Sequence, residues 1–467
     1  WAVKELDDGS TTETQIFRVD ASSKISLSNN DGGNTGNTIF GKSAFNTSTN
    51  NASDYNTMVG ELAGGTGTVA GALNNVAVGY KALEDLTSGD YNTALGTQAM
   101  LNTTDGQENV AIGEGALSAA NAGESYNVAI GSGSMASVDN SASDSNVAIG
   151  REAFTGGGGA ASKNVVIGAD AMKSTGGNTQ EGTIAIGHSA LTALTTGAGN
   201  TAIGFESLKT EDAGSGNVAV GYQALETLNN DNGYNIAMGH NAMQAATTAY
   251  YNICIGKDAG TAMAAAVPSC VVIGHEAGDA INHADAGGTI AIGRSAGGAI
   301  TSGAGNTAVG YQSLDALTGS GQNTALGYGT LGTLIDGDQN TAVGYNAMTS
   351  GTHTSFNFNT VVGANAGDAF NATAAIEHVT VLGANALGGV LTAGANGTIA
   401  IGSSALGALT SGSGNTAVGF DSGSSNQTGD NNTWVGYEAG KGGSGSEAGN
   451  VGIGHQALTA ITNGANN

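Results

Sequence analysis

The sequence predicts an all-β fold: a parallel β-solenoid of about 24 coils. Three observations carry that reading. A five-residue phrase recurs in fixed register, β-branched residues stand at one fixed place in every copy, and glycine closes each copy. The phrase reads NVAVG at Asn75–Gly79, NTALG at Asn92–Gly96, and NTAVG at both Asn306–Gly310 and Asn340–Gly344. With the closing Gly as position 0, the register falls at 41, 60, 79, 96, 113, 131, 150, 168, 187, 204, 221, 239, 256, 274, 293, 310, 327, 344, 363, 383, 402, 419, 436 and 454. That makes 24 copies spaced by 17 to 20 residues, with none skipped. A disordered Gly/Ser/Asn-rich chain has no reason to hold such a register. The period also overrides the three domains of about 150 residues that length alone suggests.

Each position has its own chemistry. Position −4 is Asn in 19 of 24 copies, with Thr183, Cys270, Thr289, Val379 and Thr398 as the exceptions. Position −3 is always Thr, Val or Ile, position −2 is usually Ala, and position −1 is apolar throughout. Position +3 is small, and +4 is either a large apolar residue (Leu83, Leu225, Met348) or another Gly (Gly64, Gly278, Gly440). β-Branched residues bounded by Asn and Gly read as a short strand, and no 3.6-residue period survives across a repeat. A coil of about 18 residues is therefore expected to hold two short strands, with a sharp turn at the Gly between them, followed by a loop. Phrases such as Thr195–Gly199 (TTGAG) and Thr410–Gly414 (TSGSG) are turn-formers that absorb the length variation. Stacked coils about 4.8 Å apart would give a rod on the order of 115 Å long. The Asn at −4 has two readings, an inter-coil amide ladder or a local turn cap, and neither implies ligand binding.

Both faces of the strand are apolar, so both need cover. The narrow Ala face suits the inside of a small coil. The Val/Ile face then needs a partner, and self-association along the rod in a cyclic arrangement supplies one without runaway aggregation.

The phrases NVAVGYKAL (Asn75–Leu83), NVAVGYQAL (Asn217–Leu225), NTAVGYQSL (Asn306–Leu314) and NTAVGYNAM (Asn340–Met348) resemble the head repeats of trimeric autotransporter adhesins. They look even more like the related repeats of phage tail-fibre proteins. The resemblance covers residues 37–467 and implies a left-handed β-roll, a homotrimer around one axis, and an attachment fibre. Adhesin heads use shorter coils of about fourteen residues (a length the resemblance supplies), so the loops here should protrude more. Residues 1–36 are expected to form a lead-in cap, with short strands at Gln15–Asp20 and Lys24–Ser28, before the repeat shaft at 37–467. No basic segment followed by an apolar one opens the chain, so no signal peptide is expected. Trp1 in place of an initiator Met, and an array that stops mid-period at Asn467, read as a processed product or a fragment.

Composition narrows the function. With 12 Lys+Arg against 38 Asp+Glu the formal charge is −26, which disfavours nucleic acid. Two Cys exclude a disulfide scaffold, and no apolar run reaches the 18 residues of a membrane span. Gly is 80 of 467 residues, but a single Pro and the lack of a three-residue period exclude collagen.

No catalytic residue, cofactor site or metal site is expected. Four of the seven His (His188, His240, His275, His455) share position +1, and no HExxH or CxxC occurs. Cys254 and Cys270 would lie roughly 8 Å apart, too far to bridge, and are expected as free, buried thiols. Loop acids such as Glu211–Asp212, Asp231 and Asp336–Asp338 read as solubilising charge rather than a calcium ladder. Position +1 also holds Tyr80, Tyr222, Tyr311, Tyr328, Tyr345 and Tyr437, with Phe205 and Phe420. This stripe would either pack against a neighbouring chain or receive the sugar rings of a surface polysaccharide, and packing is the favoured reading.

The expected role is the shaft of a phage tail fibre. It would be virion-borne and extracellular, without nucleic-acid or membrane insertion, and partnered by a host receptor (polysaccharide or protein) and other tail proteins. The alternative is the head of a bacterial trimeric adhesin at the cell surface. A polysaccharide-degrading fibre would need paired acids at a fixed separation, which the register does not supply.

Overall fold

The structure, a computed structural model, describes residues 35–45, 52–65, 68–121, 123–176, 179–349, 356–370, 375–391, 394–442, 446, 448–461 and 466, and the backbone of three N-terminal strands. It is a parallel β-solenoid, and the chain divides into two compact units, Trp1–Asn217 and Val218–Asn467. Coils are named below by their register glycine. Ten described coils lie in the first unit (Gly41 to Gly204) and fourteen in the second (Gly221 to Gly454).

The N-terminal strands Gln15–Val19 and Ile25–Ser26 pair antiparallel, Arg18 opposite Ser26 and Val19 opposite Ile25. A third strand, Ala2–Lys4, adds to the other edge of Gln15–Val19, with a register shift between Val3 and Lys4. Sequence reasoning found the first two and missed the third.

Every coil contributes one three-residue strand covering positions −3 to −1. These pair parallel and in register, so that Ala94, Ala111 and Ala129 align in one unit and Ala308, Ala325 and Ala342 in the other. The side chain at −2 points inward and is buried in every coil but the first, where Ile39 is half-buried, while −3 and −1 point outward. Strand alternation thus sorts Ala to the core and the larger β-branched residues to the outside.

The expected second strand is a correction. After the Gly, most coils run through a four-residue turn in which positions +2 and +4 take positive φ, as at Lys81 (φ 59) and Leu83 (φ 52). The further regular strands of the repeats among the described residues, Ala161–Ser162 with Gln180–Glu181 and Phe356–Asn357 with Ile376–Glu377, lie at positions −7 and −6, before the phrase and not in the arm that follows the Gly. This arm is still stitched from coil to coil: the Leu83 N–H donates to the Ala99 carbonyl at 3.0 Å, and the Lys81 N–H to the Glu61 carbonyl at 3.0 Å. Left-handed backbone at a non-Gly residue costs on the order of 1–2 kcal/mol, and it persists here because these bonds and the core over-determine it.

The core is filled from −2, +3, +4 and +7. Leu83 and Leu86, Leu191 and Leu194, and Leu406 and Leu409 are +4/+7 pairs with no solvent exposure. Where +4 is Gly, another residue occupies that volume. A Cβ at Gly278 would lie 2.8 Å from Ile281, and one at Gly367 would lie 2.8 Å from Phe370. Trp434, only 3 % exposed, fills the space beside both Gly423 and Gly440. The Gly alternative at +4 is therefore a packing exchange and not a gap.

The Asn at −4 forms the inter-coil ladder. Asn92 Oδ1 accepts the backbone N–H of Asn109 at 3.0 Å and its side-chain amide at 3.1 Å. The Asn92 amide donates in turn to Asn75 Oδ1 at 3.2 Å and to the Gly106 carbonyl at 2.7 Å. One buried side chain thus joins three coils. Thr cannot pass the chain on, and the hydroxyls of Thr183 and Thr398 are buried without a hydrogen-bond partner. Thr183→Asn, between Asn164 and Asn200, is expected to reconnect the ladder and raise stability by about 1 kcal/mol, read as a shift in denaturation midpoint at unchanged slope.

Cys254 and Cys270 are free and buried. Burial raises both thiols, that of Cys254 well above its ordinary value. They are inert core residues, with Cys254 lying 3.9 Å from the Met263 sulfur.

Candidate functional site

The outward face of the strand is the candidate surface. Its centre is the two columns −3 and −1, which carry no charged side chain in any of the 24 coils. Val76, Leu95, Ile203, Met238, Leu326 and Leu382 belong to it and stand exposed in the chain.

The predicted +1 stripe borders this face. Tyr80, Tyr222, Tyr328, Tyr345 and Tyr437 are each about half exposed, and Tyr311 is half-buried. Their rings stack along the column: Tyr311 on Tyr328 at 5.0 Å and Tyr328 on Tyr345 at 5.3 Å between centroids. Tyr437 is sandwiched between Phe420 at 5.4 Å and His455 at 5.3 Å, and Tyr222 lies on His240 at 5.0 Å. Arg294 sits over the Tyr311 ring and Lys81 over Tyr80, each 5.7 Å from the centroid. Ring faces that would stack on a sugar are thus largely taken up by neighbours, leaving edges and hydroxyls outward.

A second aromatic column at −5 borders the opposite side, and sequence reasoning missed it. It holds Tyr55, Tyr91, Tyr126, Tyr234, Tyr251 and Phe358, with His378 stacked 5.1 Å from Phe358. Tyr234 and Tyr251 stack at 5.8 Å. Counting five residues back from each register glycine finds it; the repeated phrase begins at −4, one residue short of the column.

The loop acids do structural work. Position −6 carries Asp54, Asp90, Asp144, Asp338 and Asp430, and each accepts the N–H of the residue at −6 in the coil before it, as Asp90 does from Leu73 at 2.7 Å and Asp338 from Gly321 at 2.7 Å. Buried Glu211 accepts the N–H groups of Ala213 and Gly214 at 3.1 and 2.6 Å. These carboxylates, read from the sequence as solubilising charge, are coil-to-coil and loop caps. Lysines are likewise paired within the chain: Lys441 bridges Asp421 and Glu438 at 2.8 and 2.7 Å, and both acids hold its ammonium well above the ordinary lysine range.

Among the described residues, one set of side chains has metal-ligand chemistry. Asp258, His275 and Glu276 offer donor atoms all within 4.8 Å of one another. Lys257 pairs with Asp258, and His275 Nδ1 lies 3.2 Å from Glu276. Burial pushes Asp258 up, but hydrogen bonds from Lys257 and Asn241 outweigh it and hold the carboxyl below its ordinary value. A cation entering here would have to displace the Lys257 ammonium.

No protein-family model matches the chain, and no curated protein matches it in sequence. Among the described residues no helix is long and apolar enough to cross a membrane. The architecture defines the class: a parallel β-solenoid repeat protein with one uncharged, ring-bordered strand face.

Proposed function

We propose that the chain is a structural protein, the shaft of a phage tail fibre, in which identical chains assemble as a homotrimer along the strand face and hold an attachment tip at a distance. The observation that carries this reading is that face. In the second unit alone, fourteen coils at about 4.8 Å each make a strip about 65 Å long. At about 13 Å across, it offers about 850 Å² per chain, comparable to the ~800 Å² each partner contributes to a stable interface. Seven of its fourteen −3 positions are Thr, so the strip is uncharged and mixed, with its apolar side chains concentrated in the −1 column, Met238, Leu326 and Leu382 among them. Acidic loops, carrying most of the −26 charge, keep assembled shafts apart.

Host receptor and other tail proteins are the partners this role implies, and the location is the virion. A bacterial adhesin head would use the same physics on a cell surface. Imaging intact particles with an antibody to the repeats separates the two: label on virion tails supports the fibre, label on bacterial cells the adhesin. Light scattering should return three times the 45.3 kDa chain mass. Val309→Lys with Val343→Lys, both outward at −1, should reduce that to the single-chain mass with little change in far-UV circular dichroism. A wild-type monomer would remove the proposal.

A further inference from the structure

The two aromatic columns avoid each other. Tyr or Phe occupies +1 in eight coils, and in all eight the residue at −5 is Gly, Asn or Gln. Tyr or Phe occupies −5 in six other coils, where +1 is Glu61, Thr97, Ser132, His240, Lys257 or Ala364. Counting His as a ring, only the Gly239 coil has rings at both ends, Tyr234 and His240.

Nothing within one chain demands this. The two ends are six residues apart, about 20 Å if fully extended. The ring stacks run along each column, +1 on +1 and −5 on −5. The −5 rings also sit where an aromatic is costly: Tyr55, Tyr91, Tyr126, Tyr234, Tyr251 and Phe358 all take left-handed backbone, with φ between 57 and 62. They gain little cover in exchange, being 50–60 % exposed. Ringless residues at −5, such as Glu108 (φ 54) and Lys163 (φ 59), share that backbone, so it belongs to the coil; what sets the rings apart is that they stand exposed at the edge of the uncharged face.

We infer that the −5 edge of one chain abuts the +1 edge of a second copy at the same coil level. This rests on the self-association proposed above and adds its geometry. In a cyclic assembly of identical chains in register, every level repeats one coil, so each junction brings that coil's −5 residue against its own +1 residue from the next copy. In fourteen of the 24 coils the junction takes one Tyr or Phe, and the other side supplies a residue that is neither. Register is thereby encoded at those levels, because sliding one chain by one coil would set Tyr234 against Tyr222 or Phe358 against Tyr345. Steric conflict between rings brought together out of register is a source of such specificity.

The test is a cysteine pair in the Gly402 coil, whose two ends, Gly397 and Ser403, are both small. In full-length protein carrying Gly397→Cys and Ser403→Cys, mild oxidation should give covalent oligomers that thiol reverses. Within one chain the two positions lie beyond the 7 Å limit for a bridge, and native Cys254 and Cys270 are buried. Each single variant, and Gly397→Cys paired with Tyr437→Cys two coils away, should stay uncross-linked. Equal cross-linking in the offset pair, or none in the same-coil pair while light scattering still reports an assembled species, overturns the edge pairing and leaves the shaft proposal standing. A monomer in light scattering overturns both. An independent variant checks the size rule: Gly305→Tyr, opposite Tyr311, should reduce the assembled fraction at least tenfold, and adding Tyr311→Ala should restore it. Unchanged assembly by Gly305→Tyr would also refute the rule.

Discussion

Replacing Gly293 by Ala is expected to unfold its own coil and loosen the coils on either side, whereas the same change at Gly288, five residues earlier, should cost only about 1 kcal/mol. Both glycines have positive φ, 131 and 76 respectively, so a propensity argument alone would rank them together. The difference is what a methyl group would meet. At Gly293 a Cβ would lie 2.5 Å from the carbonyl oxygen of Gly310, backbone that cannot move without opening the stack. At Gly288 the nearest atom is Gly305 Cα at 4.0 Å. A φ near 130 is also outside the left-handed well that Lys81 and Leu83 occupy, so Gly293 has no tolerated substitute. Clash and strain together should exceed about 3 kcal/mol. Because each coil contacts only its neighbours, the loss should stay local. Hydrogen exchange would read it as lost protection at Ile290–Ile292 and in the flanking strands, with distant coils unchanged. Equal loss at the two positions would mean that φ, and not the stacking of register glycines, sets the requirement.

That glycine column explains how much of the fold was legible. The strand at −3 to −1 was readable because its cause is local: β-branched residues favour extended backbone, and a small −2 residue names the inner face. The turn arm was misread because its cause is not local. Leu83 and Met100 carry no preference for positive φ, and they adopt it only because the arms above and below fix their hydrogen bonds. Strand Ala2–Lys4 is a different case: the turn pair Asp8–Gly9 stands in the sequence between it and its partner Gln15–Val19, but a three-residue run is too short to show alternation. The Asn at −4 could not be assigned from type alone, since ladder and cap use the same amide. The +1 rings were found as a column, and their mutual stacking follows from the 4.8 Å coil spacing. The −5 rings lay outside the phrase that anchored the reading.

The second large effect belongs to the amide ladder. Asn323→Ala should cost on the order of 3–5 kcal/mol, although it deletes no charge and little apolar surface. Asn323 Oδ1 accepts both the N–H and the amide of Asn340 at 3.0 Å, while its own amide serves Asn306 Oδ1 at 3.2 Å and the Gly337 carbonyl at 2.7 Å. Alanine leaves the Asn340 N–H and the Gly337 carbonyl stranded in a region without solvent exposure, and each orphaned buried group costs about 1–3 kcal/mol. Asp in place of Asn keeps the acceptor but removes the donor, and it puts a buried negative charge against Asn306 Oδ1, so it should be at least as damaging at neutral pH and partly relieved as pH falls and the carboxyl protonates. Thr keeps a smaller hydroxyl, as at Thr289, where Oγ1 donates to the Ala286 carbonyl at 2.7 Å, and should fall between wild type and Ala. The order Asn, Thr, Ala in denaturant midpoint therefore tests the ladder directly. If Ala matched Thr, the amide would be a space-filler, and the coils would be held by their strands alone.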